Sequence, residues 1–142
     1  MGHGGADLIS NKSFKNFVLR YEYRIPKGGN SGVYLRGRYE VQILDDFDRK
    51  TPDIHGNGSI YGKIAPSKFA SRAPGEWQTG VVTLIGTKVT VIMNGQTIID
   101  QATIDGVTGA ALDDKVNEPG PIMLQGDHGP VEYRNVRIKE LQ

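Results

Sequence analysis

Cysteine is absent from the 142 residues, which excludes disulfides and thiolate metal sites and leaves the redox compartment unread. No run approaches the roughly 18 apolar residues of a membrane span, and the opening MGHGGADLIS lacks the basic and apolar regions of a signal peptide. Neither sign of charge dominates. With 17 Lys and Arg against 16 Asp and Glu, electrostatics gives no reason to expect a nucleic acid or an anionic membrane as partner. Also missing are a convincing amphipathic helix, a G-x-S-x-G elbow, an H-E-x-x-H pair, a Walker loop and a dinucleotide fingerprint. Nucleotide-dependent chemistry and the commonest hydrolase motifs are therefore set aside.

Glycine is plentiful, at 19 residues with seven prolines, so turns are many and long helices few. FVLRYEYRI, from Phe17 to Ile25, alternates cleanly between apolar and polar side chains and reads as a half-buried strand. GVYLR and RYEVQIL are two more strands, broken at Gly37. WQTGVVTLIG and KVTVIMNG form a hairpin across Gly86–Thr87, and Asn94–Gly95 turns VTVIM into QTIID. SIYG is a short strand, and PIMLQGD and VEYRNVRIKEL close the chain around His128–Gly129–Pro130. Eight or nine short strands without a linker or repeat predict one all-β domain over residues 1–142, an antiparallel sandwich of two sheets. An exposed edge strand in such a sandwich offers a template for pairing with a second copy.

The stretch LRGRYEVQILDD carries the first candidate site. In strand geometry Tyr39, Val41 and Ile43 share one face, and Arg36, Arg38, Glu40 and Gln42 share the other. A guanidinium fork, a carboxylate and an amide on one face suit a polyhydroxylated ligand; the plainer reading is a solvated face with an Arg–Glu pair. LQGDHGPVEYRN sets Gln125, Asp127 and His128 at a strand end beside Gly126, Gly129 and Pro130, where a histidine in a glycine-flanked loop approaches a ligand closely or simply satisfies a turn. The loop from Asp45 to Gly58 holds Asp45, Asp46, Asp48 and Asp53. It has the carboxylates for a divalent cation but not an EF-hand register, so it reads first as a solvated loop. Trp77 reads as a core anchor, and Tyr61 as an exposed aromatic able to stack on a sugar. Glu40-x-Gln42-x-x-Asp45 shares only the outline of the E-x-D-x-x-E strand of laminarinase-like glycosidases, so a two-carboxylate hydrolysis is not the first choice.

Taken together, GGNSGVYLRGRYEVQILD, GSIYGKIAP, PGEWQT, VTVIMNG, Gly106–Val107–Thr108–Gly109 and PGPIMLQGDHGPVEYRNVRI resemble the 3-keto-disaccharide hydrolase family, also described as 3-keto-glucoside lyase and 3-keto-2-hydroxyglucal hydratase domains. The resemblance runs from about Asp7 to Ile138. Members usually begin further upstream, with a phrase like L-F-N-G-K-D-L-x-G-W and a following strand, and that phrase is absent here. The resemblance implies a concanavalin-like jelly roll and periplasmic or secreted work on oxidised glycosides in bacteria. It implies a reaction in which a base removes the C2 proton made acidic by a ketone at C3, the enolate expels the C1 substituent, and water adds to the product. On this basis His128 or Glu40 is expected as base and Arg36 and Gln125 as oxyanion donors. Gln42, Asn30 and Tyr61 are expected to bind sugar hydroxyls, with Asp127 orienting His128. No cofactor is required by the sequence; a divalent metal near Asp45, Asp46 and Asp48 or near His128 is an alternative oxyanion stabiliser. A non-catalytic carbohydrate-binding module of the same fold is the competing expectation.

Overall fold

Nine strands account for the regular structure among the described residues. The computed structural model describes residues 6–142; the residues before that, part of the stretch read above for a signal peptide, lie outside it. Strands β1 (Leu8–Ile9), β8 (Met123–Leu124), β3 (Asn30–Leu35) and β4 (Tyr39–Leu44) form one antiparallel sheet in the order β1-β8-β3-β4. Strands β7 (Gln96–Thr103), β6 (Lys88–Met93), β5 (Gln78–Ile85), β2 (Asn16–Arg24) and β9 (Glu132–Leu141) form the second, in the order β7-β6-β5-β2-β9. Among the described residues there is no helix, and none therefore long and apolar enough to cross a membrane. The expected all-β sandwich of two antiparallel sheets is what the chain adopts.

The core follows from the period-two pattern. β2 sends Phe17, Leu19, Tyr21 and Tyr23 inward, β4 sends Tyr39, Val41 and Ile43, and β6 sends Val89, Val91 and Met93; all are fully buried or nearly so. Where β2 carries its bulkiest inward ring, its partner supplies none: Tyr21 is opposite Gly80 on β5, and a side chain at Gly80 would overlap that ring. Asn94 and Gly95 take φ of 51° and 82°, the left-handed pair that a tight hairpin turn requires.

Two expectations change here. Arg36 does not lie on the polar face. The chain reverses at 36–38, with Leu35 opposite Tyr39 and φ of 55° at Arg36 and 67° at Gly37, so counting parity through the turn misplaces it. Fully buried, its guanidinium donates to the carbonyls of Lys15 (2.6 Å), Gly86 (2.7 Å) and Val116 (3.1 Å) and to Asn16 Oδ1 (3.4 Å). It clasps both sheets at one end of the sandwich. Trp77 is not a core anchor either. It is half-buried outside the core, with the guanidiniums of Arg134 and Arg24 at 3.8 Å and 4.8 Å from its ring.

Candidate functional site

The register of the four-stranded sheet decides which side chains meet on its outer face. Gly32 on β3 lies opposite Gln42 on β4, and Tyr34 opposite Glu40. Residues 58–61 run alongside β4: the Gln42 amide donates to the Ser59 carbonyl (2.9 Å) and the Tyr61 amide to the Glu40 carbonyl (3.0 Å). On the other side of β3, the Gln125 amide donates to the Gly32 carbonyl (2.9 Å). Two rows therefore cross the sheet, one of Gln125, Gly32, Gln42 and Ser59, the other of Met123, Tyr34, Glu40 and Tyr61. Above them opens a cavity of about 290 Å³ lined by Asn30, Tyr34, Glu40, Gln42, Tyr61, Gly109, Ala110, Gln125 and His128. A larger cavity, about 510 Å³, runs along the flank between β1 and β9. Its lining is mostly aliphatic (Leu8, Ile9, Ile122, Leu124 and Ile138 among others), with Tyr133 and Arg137 but no carboxylate or histidine, so the smaller one is the candidate site.

Glu40 is the only carboxylate in that lining. Its side chain lies over Gly32, where an added Cβ would overlap the carboxylate; glycine here lets the acid lie flat on the floor. The Tyr34 hydroxyl stands 3.1 Å from both Glu40 Oε1 and the Gly109 carbonyl. Having one proton, it donates to one of them at a time. Thr108 Oγ1 accepts from the Glu40 amide at 2.9 Å and so fixes the backbone beneath the acid. Glu40 is 5% exposed, and burial pushes its carboxyl above the usual range, against the opposing pull of Tyr34's hydrogen bond and the nearby His128.

His128 reaches the same cavity from the loop after β8. Its Nδ1 is 2.5 Å from Asp127 Oδ1, so neighbouring residues do meet here, because the loop has left strand geometry. Gln42 Oε1 and Gln125 Oε1 are buried without a hydrogen-bond partner, as is Ser59 Oγ in the same row. Unpaired polar atoms cost free energy in a core; Gln42 and Gln125 line the cavity, whereas Ser59 and the likewise unpaired Tyr21 hydroxyl lie outside its lining. Tyr61, 36% exposed, is held edge-on by His55 at a centroid distance of 5.0 Å.

The structure thus brings together six of the expected residues, Asn30, Glu40, Gln42, Tyr61, Gln125 and His128, with Asp127 behind His128, and leaves Arg36 out. Asp45, Asp46 and Asp48 form no ligand set. Asp45 accepts from the Gly28 amide (2.9 Å), Asp46 from the Asn57 amide (3.0 Å) and the Ser71 hydroxyl (2.7 Å), and Asp48 faces solvent. Among the described residues no three His, Asp or Glu side chains gather as a metal site. Asp46 instead pins the loop that delivers Ser59 and Tyr61. Sequence reasoning missed Tyr34, whose signal was its symmetry with Glu40 about Gly37, and the loop pair Gly109–Ala110.

A two-sheet sandwich with a polar, acid-bearing cavity on one outer face has the hydrogen-bonding groups to hold a carbohydrate, and fold alone does not decide the activity. The comparisons narrow the class. The model of the 3-keto-alpha-glucoside-1,2-lyase-like domain matches residues 1–139, and the chain belongs to that family. A 3-keto-disaccharide hydrolase of Bacteroides thetaiotaomicron is 40% identical over 50 residues; the match spans 35% of this chain and 16% of that protein. A solved structure from Parabacteroides distasonis ascribed to the glycosyl hydrolases superposes with a TM-score of 0.84 at 32% identity, over 99% of this chain and 70% of that one. The carbohydrate-binding module CBM66 of Bacillus subtilis shares the fold at a TM-score of 0.63 and 11% identity, over 96% of this chain and 84% of that one.

Proposed function

We propose that the cavity cleaves 3-keto-glycosides by elimination and hydration. The observation that carries this reading is a single buried carboxylate, Glu40, facing a histidine with its own aspartate across a cavity of otherwise neutral hydrogen-bonding groups. A carboxyl whose proton affinity is raised by burial is a stronger base than one in water, and the C2 proton beside a ketone is the weak acid it has to meet. Glu40 takes that proton; the C1–O bond breaks as the C1=C2 bond forms; His128, oriented by Asp127, protonates the departing oxygen. Water then adds across C1=C2, and the net result is hydrolysis. With Arg36 committed to the end of the sandwich, the amide of Gln125 is the donor left for the developing enolate oxygen. Gln42, Asn30 and Tyr61 hold the remaining hydroxyls. The setting we assign is the periplasm or the exterior of a bacterium, as the resemblance implies.

The test is turnover of a 3-keto-glucoside with a chromogenic leaving group by wild type, Glu40→Gln and His128→Ala. Wild type is expected to release the chromophore and Glu40→Gln to lose at least 100-fold in kcat. Loss on chelation would give the enolate to a divalent ion rather than to Gln125. Binding of the sugar without release would identify a binding module of the same fold.

A further inference from the structure

The opposite face of the sandwich carries charge that the cavity does not use. On the outer side of β2 and β9, Arg20 stands directly across from Arg137, Glu22 from Arg134, Arg24 from Glu132, and Val18 from Lys139. Five cationic side chains thus share the stripe with two carboxylates, in a chain whose net charge is only +1. The pairing within it is incomplete. Arg20 and Arg134 both draw on Glu22, at 3.0 Å and 2.7 Å, and these two guanidiniums hold its carboxyl below the usual carboxylate range, Arg134's hydrogen bond first. Arg24 is satisfied by Glu132 at 2.7 Å. Among the described residues Arg137 and Lys139 meet no carboxylate. Like charges directly opposite one another on paired strands are unfavourable, so the Arg20–Arg137 pair costs the fold something in the absence of an anion.

The stripe lies on two paired strands, with one β-bulge in β9 between its Arg20–Arg137 and Glu22–Arg134 rows. Rows recur about every 6.8 Å along a strand, so four rows span about 20 Å. At one end Trp77 lies beneath Arg134 and Arg24, which fixes two guanidiniums by cation–π contact and covers the ring, so that no base can stack on it. Its neighbours on the sheet, Thr79, Val81 and Thr83, are short and half-buried, and the large exposed apolar side chain of β5, Ile85, stands at the far end of that strand from Trp77, too little to anchor the face in a bilayer. From this charge complementarity we infer that the outer face of β2 and β9 is a second binding surface, for a linear anionic polysaccharide bearing carboxylate or sulfate groups. It is independent of the cavity on the other sheet.

The experiment measures binding of the whole chain to polygalacturonate, with a neutral dextran, a single-stranded oligonucleotide and phosphatidylserine vesicles as comparisons, at 50 mM and 200 mM salt. Polygalacturonate is expected to bind in preference to all three, with affinity falling as salt rises. The double variant Arg20→Gln with Arg137→Gln is expected to weaken that binding at least tenfold. Because both residues are exposed and mutually repelling, its thermal midpoint should match or exceed wild type, which separates lost binding from lost fold. No binding at low salt, equal binding to the oligonucleotide or the vesicles, or a double variant that binds as wild type each overturns the assignment.

Discussion

Glu40 combines burial, a glycine beneath it and a tyrosine beside it, and its stability and its chemistry pull in opposite directions. A carboxyl raised in the folded state binds its proton more tightly there than in the unfolded chain. Its charge is then a burden that is absent below the ordinary glutamate range of about pH 4 and grows as pH rises through the raised value. Glu40→Gln, which keeps the shape and removes the charge, should therefore melt with wild type at pH 3.5–4 and above it at pH 7, while losing turnover. Thermal unfolding of both proteins across that range checks the sign; a gap that shrinks toward neutral pH would contradict the burial argument. The unpaired oxygens of Gln42 and Gln125 carry a similar cost to the fold, one that the proposed sugar would relieve by supplying donors.

At the scale of the element, strand faces are set by alternation and strand neighbours by local relief. Gly80 on β5 is the space into which the Tyr21 ring fits. Gly80→Ala should cost about 1–3 kcal/mol through overpacking, measured by denaturant unfolding, whereas an alanine at exposed Thr97 should cost little. Strands β2, β5 and β6 were legible in the sequence because each alternates over six residues or more, and Asn94–Gly95 named its own hairpin. Glu40 and Gln42 were legible as candidate site residues because a polar parity on a buried strand is visible in one dimension, and Gln125 because it stands at a strand end beside Asp127 and His128. Arg36 was not, since a reversal at 36–38 resets the parity and only the register shows it. Tyr34 and Trp77 were misjudged or missed for a related reason: an aromatic at a strand position can face either side, and the choice depends on partners far away in the chain. The two-residue strands β1 and β8 carry no period of their own; β8 is set by its pairing with β3, and β1 by its pairing with β8.

Over the whole molecule, the two sheets divide the work. The cavity lies on one outer face, the cationic stripe on the other, and a largely aliphatic groove of about 510 Å³ follows the flank where β1 and β9 leave their edges unpaired. β9 is the edge on which a second copy could find a template, and its exposed Arg134, Arg137, Lys139 and Glu140 are the charges that discourage such pairing. At the end of the sandwich Arg36 gathers acceptors 20, 21, 50 and 80 residues away in sequence. Four acceptors drawn from four places in the chain must all be in position before the guanidinium is satisfied, so this cluster is expected to complete only after the chain has crossed its main barrier. On that expectation Arg36 is a latch closed late. Arg36→Met should destabilise the protein by about 3 kcal/mol or more by stranding those acceptors. Stopped-flow kinetics should find nearly all of the loss in a faster unfolding rate, with refolding almost unchanged. The residue that looked like part of the chemistry would then act on how long each molecule stays folded.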